Sequence, residues 1–214
     1  LMQARTQARI AVVADNADNI GMLGHVAQMA GQKLDVLVEI DIGQGRAGVP
    51  AGPEAARLAQ IVDNHGWLNF AGIQGYQGKI QMVVDADKRK TDTETGLDKF
   101  AATIAEVEKT GLSAQVRTGG GTGTSPFDME RGLLTELQTG SYVFMDSRYG
   151  GIGWPGADAP PFEAALHILT CVVSKPAPDR VIVDAGLKSA SCDHGPPVIA
   201  DVDGPGIDSA TVTI

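Results

Sequence analysis

The sequence predicts an α/β protein: a parallel sheet or barrel with helices packed outside it, followed by the start of a β domain. Three observations lead there. Short apolar segments alternate with helix-period segments through the first two-thirds of the chain. Glycine-, serine- and threonine-rich stretches follow those apolar segments, where the working loops of such folds lie. The texture then changes: 150–161 is rich in Gly and Pro, and no helical pattern comes after it.

Residues 9–14 (Arg-Ile-Ala-Val-Val-Ala) read as a buried strand. Asp15 or Asn16 is placed to cap the next helix, whose apolar face is Ile20, Leu23, Val26 and Ala27, and Gly31 ends it. Residues 34–40 form a second strand in which only Asp35 and Glu39 interrupt the apolar run. Residues 41–48 are a loop, and Pro53 opens a helix packed through Leu58, Ile61 and Val62. Residues 68–74 are a third strand. A long polar helix then carries Leu97, Phe100, Ala101, Ile104 and Val107 at helical spacing, and 115–118 and 133–138 supply two more short strands. Beyond the Gly/Pro-rich boundary, 162–174 and 180–183 read as strands joined by a turn at Lys175-Pro176-Ala177-Pro178.

At 214 residues the chain is long enough for one domain with a core, or one domain and part of another. A net charge of −9 argues against nucleic acid or an anionic membrane as partner. No apolar run approaches the roughly 20 residues of a membrane-spanning helix, and Leu1-Met2-Gln3-Ala4-Arg5 has no signal-peptide core. Two cysteines, Cys171 and Cys192, are too few for a disulfide framework, which makes the cytoplasm the expected compartment. The first residue is Leu, which points to a fragment.

Chemistry concentrates between Arg117 and Tyr149. Thr118-Gly119-Gly120-Gly121-Thr122-Gly123-Thr124 and Gln138-Thr139-Gly140-Ser141 each close a short apolar piece. Glycines let a backbone approach an anion closely, while hydroxyls and free N–H groups supply its hydrogen bonds. That is how a phosphate is held without a lysine; the alternative is a pair of ordinary strand-to-loop turns. Two further loops, Asp41-Ile42-Gly43-Gln44-Gly45-Arg46 and Gln74-Gly75-Tyr76-Gln77-Gly78, end strands at the same predicted rim. The histidines show no metal-ligand spacing: His25 and His65 fall on helices, His167 in a strand and His194 in a loop. Cys171 reads as core packing.

Five motifs taken together resemble the D-threonine aldolase and D-serine dehydratase family. They are Val38-Glu39-Ile40-Asp41-Ile42-Gly43-Gln44-Gly45-Arg46, Gly72-Ile73-Gln74-Gly75-Tyr76-Gln77-Gly78, the glycine cluster at 118–124, Glu136-Leu137-Gln138-Thr139-Gly140-Ser141-Tyr142-Val143-Phe144-Met145-Asp146, and Val183-Asp184-Ala185-Gly186-Leu187-Lys188. The resemblance implies fold-type III pyridoxal-phosphate enzymes, related to alanine racemase. It places part of an alanine racemase-like (β/α)8 barrel at 1–155 and the start of a C-terminal β domain at 156–214.

Roles follow from the resemblance position by position. Thr122, Gly140 and Ser141 match the phosphate cup of pyridoxal 5′-phosphate. Gln138 falls where racemases carry an arginine facing the pyridine nitrogen, and a neutral amide there leaves that nitrogen largely unprotonated. Tyr76 matches the residue lying against the cofactor ring, with Gln74 beside it on the cofactor-binding side. Arg46 matches a rim position able to hold a substrate or cofactor anion; the alternatives from the residues alone are a salt bridge from Arg46 to Asp41 and a core role for Tyr76. The chain departs from common family patterns at Ala47, Met82 and Ser125.

Two parts of the family's machinery are expected outside this segment. The cofactor-binding lysine belongs to an Arg-Pro-His-x-Lys-like motif, and nothing before Arg9 resembles it. Lys188, in a Gly-Leu-Lys context, lies in the β domain and is not that lysine. The divalent metal (Mn, Mg or Zn) is held by a His followed two residues later by Asp or Cys, expected beyond Ile214. About five strand units are present where a closed barrel needs eight. The implied activity is a pyridoxal-phosphate- and metal-dependent lyase, active when full length, cleaving small D-β-hydroxy amino acids to glycine and an aldehyde. The alternatives are a D-serine dehydratase-type ammonia-lyase and a non-catalytic pyridoxal-phosphate-binding fragment. A homodimer is expected by analogy.

Overall fold

The computed structural model describes residues 8–191, 193, 195 and 197–200. In chain order its strands are Ala11–Ala14 (β1), Leu34–Asp41 (β2), Val49–Pro50 (β3), Leu68–Gly75 (β4), Val116–Gly119 (β5), Glu136–Leu137 (β6), Val172–Ala177 (β7) and Arg180–Val183 (β8). The helices are Ala17–Met29 (α1), Pro53–Asp63 (α2), Ala86–Lys109 (α3), Ser125–Arg131 (α4) and Ser147–Gly150 (α5).

The sheet runs β1-β2-β4-β5-β6, all parallel, with β3 paired to the end of β2. It is open among the described residues, in keeping with part of a barrel. Strand β2 lies inside the sheet between β1 and β4 and is buried along most of its length. Alternation sends Val36, Val38 and Ile40 to the helix side, where they join Leu58 and Val62 of α2 and Phe100 and Ile104 of α3 in the main core. The same alternation sends Asp35, Leu37, Glu39 and Asp41 to the opposite face. That face continues across the sheet as Gln74, Thr118 and Glu136, one row in register with Glu39.

Gly72 sits at a register shift between β2 and β4, at φ +153°, and any Cβ there would collide with the Val116 carbonyl. This close approach is what brings β5, and the glycine cluster behind it, against β4.

Both expected caps at the start of α1 are in use, for different purposes. Asn16 Oδ1 accepts from the N–H groups of Asp18 (2.8 Å) and Asn19 (3.2 Å), capping the helix. Asp15 instead accepts the N–H of Gly48 at 2.8 Å, fastening the loop after β2 to the end of β1.

Several expectations are corrected. Val26 is exposed, because α1 turns Ile20 and Ala27 to the core and leaves Met22, Val26 and Met29 facing outward. His65 follows the α2 cap at Asn64 rather than lying in the helix. The strand at 133–138 is only Glu136–Leu137, and no helix was anticipated at α4 or α5. Residues 162–171 are not a strand: a strand needs a ladder partner, and only Val172–Ala177 finds one, in β8. His167 therefore lies in irregular chain, and Cys171 is exposed rather than packed in a core. Pro176 is carried inside β7, an edge position that tolerates it, and the turn moves to 178–179. Cys192 and His194 lie outside the described residues.

Candidate functional site

The loops that follow β1, β2, β4, β5 and β6 meet at one rim, and side chains join each neighbouring pair. Asp15 ties the first to the second through Gly48. Gln77 Nε2 donates to the Ile42 carbonyl at 3.0 Å, and the Lys79 N–H donates to Gln44 Oε1 at 3.1 Å, joining the second and third. Gln81 joins the third to the glycine cluster, and the Tyr142 N–H donates to Thr122 Oγ1 at 3.2 Å, joining the cluster to the Gly140–Ser141 loop.

Arg46 lies over the Tyr76 ring, 5.8 Å from its centroid. Asp41 is engaged elsewhere: it accepts the N–H groups of Gly43 (2.8 Å) and Gly45 (3.0 Å), which hold its carboxyl below the usual range and shape the turn that carries Arg46. Burial pushes the Glu39 carboxyl up; Arg46 and the Gln74 amide, which donates to Glu39 at 3.4 Å, oppose this, and Asp15 reinforces it. Gln138 donates through Nε2 to Thr118 Oγ1 at 3.1 Å, and that hydroxyl donates to Glu136 at 3.0 Å. This relay sets the Gln138 amide, since a donating hydroxyl is free to accept from the NH2 end.

Thr122 is buried, whereas Gly140 is exposed and a Cβ on it would meet nothing within 4 Å. Burial holds the Tyr149 phenol above its ordinary range, with the Ser141 side chain opposing. Tyr149 packs with Met145, Ile152, Trp154 and Met82 in a second cluster. A hydroxyl, a glycine backbone open to space and a serine beside it form a donor set suited to a phosphate. Among the described residues no group of three or more His, Cys, Asp or Glu side chains is placed to hold a metal ion. No described helix is long and apolar enough to cross a membrane. Lys188 is exposed in a turn after β8.

The supports behind the rim were not anticipated. Arg89 of α3 is fully buried; Nε donates to the Gly123 carbonyl at 2.8 Å, and its other nitrogens donate to the carbonyls of Val83 and Gly153. Gln81, Asp128 and Tyr149 were likewise missed. The partners of Gln81 lie up to 43 positions away in sequence, so no local spacing marks it.

Residues 1–148 match the family model described as "Alanine racemase, N-terminal domain". The chain belongs to this family. Residues 165–213 match a second model, "Putative serine dehydratase domain". A D-threonine aldolase of Arthrobacter sp is 44% identical over 200 residues, covering 93% of this chain and 52% of the relative. A 3-hydroxy-D-aspartate aldolase of Paracoccus denitrificans (strain Pd 1222) is 37% identical over 198 residues, covering 91% and 51%. The crystal structure of a D-threonine aldolase from Filomicrobium marinum superposes with a TM-score of 0.88 at 39% identity, covering 94% of this chain and 53% of that one. The chain thus spans about half the length of the relatives it matches. The alanine racemase-like α/β fold expected from the motifs is the fold observed.

Proposed function

We propose that this chain is the cofactor-holding part of a pyridoxal 5′-phosphate- and divalent-metal-dependent lyase that cleaves D-β-hydroxy amino acids to glycine and an aldehyde. The observation that carries the reading is the Thr122–Tyr142 junction, which brings the two glycine-rich loops together as one donor set. The likeness to D-threonine and 3-hydroxy-D-aspartate aldolases supports this choice of reaction.

When bound, pyridoxal phosphate supplies the electron sink that a Cα–Cβ cleavage needs. Thr122, Gly140 and Ser141 are the residues that would hold its phosphate. Gln138, fixed by Thr118 and Glu136, presents a neutral amide on the pyridine side, and Gln74 lines the same face. Tyr76 covers the ring, and Arg46, stacked over Tyr76, offers its guanidinium to a substrate carboxylate. The described residues offer no donor set of three or more His, Cys, Asp or Glu side chains for the metal. The cofactor-holding unit is assigned to 1–155 and the following unit to 156–214, and the working protein is read as a homodimer.

A dehydratase reading has one observation in its favour, the serine dehydratase domain match over 165–213. Product analysis separates the two. The protein from the complete reading frame, given pyridoxal phosphate and Mn²⁺, is incubated with D-threonine, 3-hydroxy-D-aspartate and D-serine. Glycine and an aldehyde from the first two support the aldolase. A 2-oxo acid and ammonia, without glycine, overturn it in favour of the dehydratase.

A further inference from the structure

We propose that Gln81 is a positioning residue for the phosphate cup, the piece around which the glycine cluster is moulded. The inference rests on the reading of Thr122, Gly140 and Ser141 as that cup. Gln81 lies between β4 and α3, outside every motif that suggested the site, and its side chain is buried.

Its amide uses its full bonding capacity. Oε1 accepts the N–H groups of Gly123 (2.9 Å) and Thr124 (3.2 Å). Nε2 donates to the Gln77 carbonyl (3.2 Å) and to Thr124 Oγ1 (3.0 Å). With two lone pairs and two N–H bonds all engaged, the amide has one orientation; turned over, it would set N–H against N–H. Thr124 extends the network, accepting from the Gly121 N–H at 3.1 Å and donating to Asp128 at 2.7 Å.

These contacts grip Thr122 from both sides. A Cβ on Gly121 would fall 2.6 Å from Gln81 Oε1, and one on Gly123 would collide with the Gln81 carbonyl oxygen. Thr122, between them, is therefore aimed by Gln81, and its hydroxyl then meets the Tyr142 N–H. A buried network with every member satisfied is rigid, and a rigid donor set loses little entropy on taking up an anion. Gln81 touches no ligand; it decides where Thr122 points.

The test compares pyridoxal 5′-phosphate with pyridoxal, which lacks only the phosphate, in the protein from the complete reading frame. Dissociation constants are measured by absorbance for wild type, Gln81→Met and Thr124→Val. Gln81→Met keeps the side-chain length and removes all four bonds; Thr124→Val removes one junction and serves if the first variant does not fold. The expected result is that wild type prefers the phosphorylated form, and that Gln81→Met cuts this preference about tenfold with pyridoxal affinity unchanged. Thr124→Val has a smaller effect of the same sign. If wild type shows no preference, the cup reading fails. If wild type shows it and both variants retain it, or lose both ligands equally, Gln81 has no positioning role.

Discussion

Thr122 Oγ1 accepts a hydrogen bond from the Tyr142 backbone N–H at 3.2 Å, across 20 positions of sequence. Through that bond the loop after β5 and the loop after β6 become one surface. Gln138 ties the bases of the same two segments through Thr118, and the Thr122–Tyr142 bond closes them nearer their tips. The relationship leads to a first prediction. Thr122→Val removes the acceptor while keeping the shape, and is expected to weaken pyridoxal phosphate binding by about tenfold or more. Thr122→Ser keeps the hydroxyl and is expected to bind nearly as wild type. Equal binding by the valine and serine variants would show that the hydroxyl has no part in the site.

The burial of Asp128 sets a pH dependence. Its carboxyl is raised to about 6, by burial first, with the bonds from Thr124 and the Gly121 N–H pulling the other way. An unfolded aspartate releases its proton near pH 4, so the native state carries the extra proton between those values. The native advantage is complete below about pH 4 and is lost as pH rises through about 6, a change of roughly 3 kcal/mol. Urea unfolding of wild type against Asp128→Asn from pH 4 to 8 reads this out. The asparagine variant is expected to gain relative stability as pH rises. Parallel curves would mean that Asp128 keeps an ordinary carboxyl.

Gly72 carries no chemistry, yet β4 and β5 meet through it. Gly72→Ala puts a methyl into the Val116 carbonyl at a backbone angle that L side chains rarely adopt. The expected destabilisation is about 3 kcal/mol or more, measured by denaturant midpoint. Gly140→Ala, with no atom within 4 Å of the new Cβ, is expected to leave stability within about 0.5 kcal/mol and to lower cofactor affinity instead.

Arg46 lies over the Tyr76 ring, and the role proposed for it is to hold a substrate carboxylate. Arg46→Met is expected to raise KM for 3-hydroxy-D-aspartate about tenfold, with kcat changed far less. A fall in kcat at constant KM would contradict that role.

How much was legible varied with how local each feature is. The parallel sheet showed in the apolar segments at 34–40 and 68–74 alternating with helix-period sequence, because the helix-facing side of each strand must be apolar. The rim was legible for a related reason: Arg46, Tyr76, Thr122, Gln138 and Ser141 all stand just past strand ends. What escaped was either weakly patterned or distant in sequence. Helix α4 is seven residues, too short to show a period, although Pro126 in its first turn and Gly132 at its end in the left-handed conformation are ordinary start and stop signals. The apolar residues at 162–171 suggested a strand, but composition cannot supply the partner that a strand requires. Arg89 and Gln81 carry no local signal because the loops that bury them arrive from 34 and 42 positions away.

The most direct test is a crystal structure of the complete protein with pyridoxal 5′-phosphate bound. The account predicts the phosphate against Thr122, Gly140 and Ser141, the ring beside Tyr76, and Gln138 on the side of the pyridine nitrogen. A phosphate seated elsewhere, with Thr122 still bonded to Tyr142 and no ligand in the cup, would contradict it.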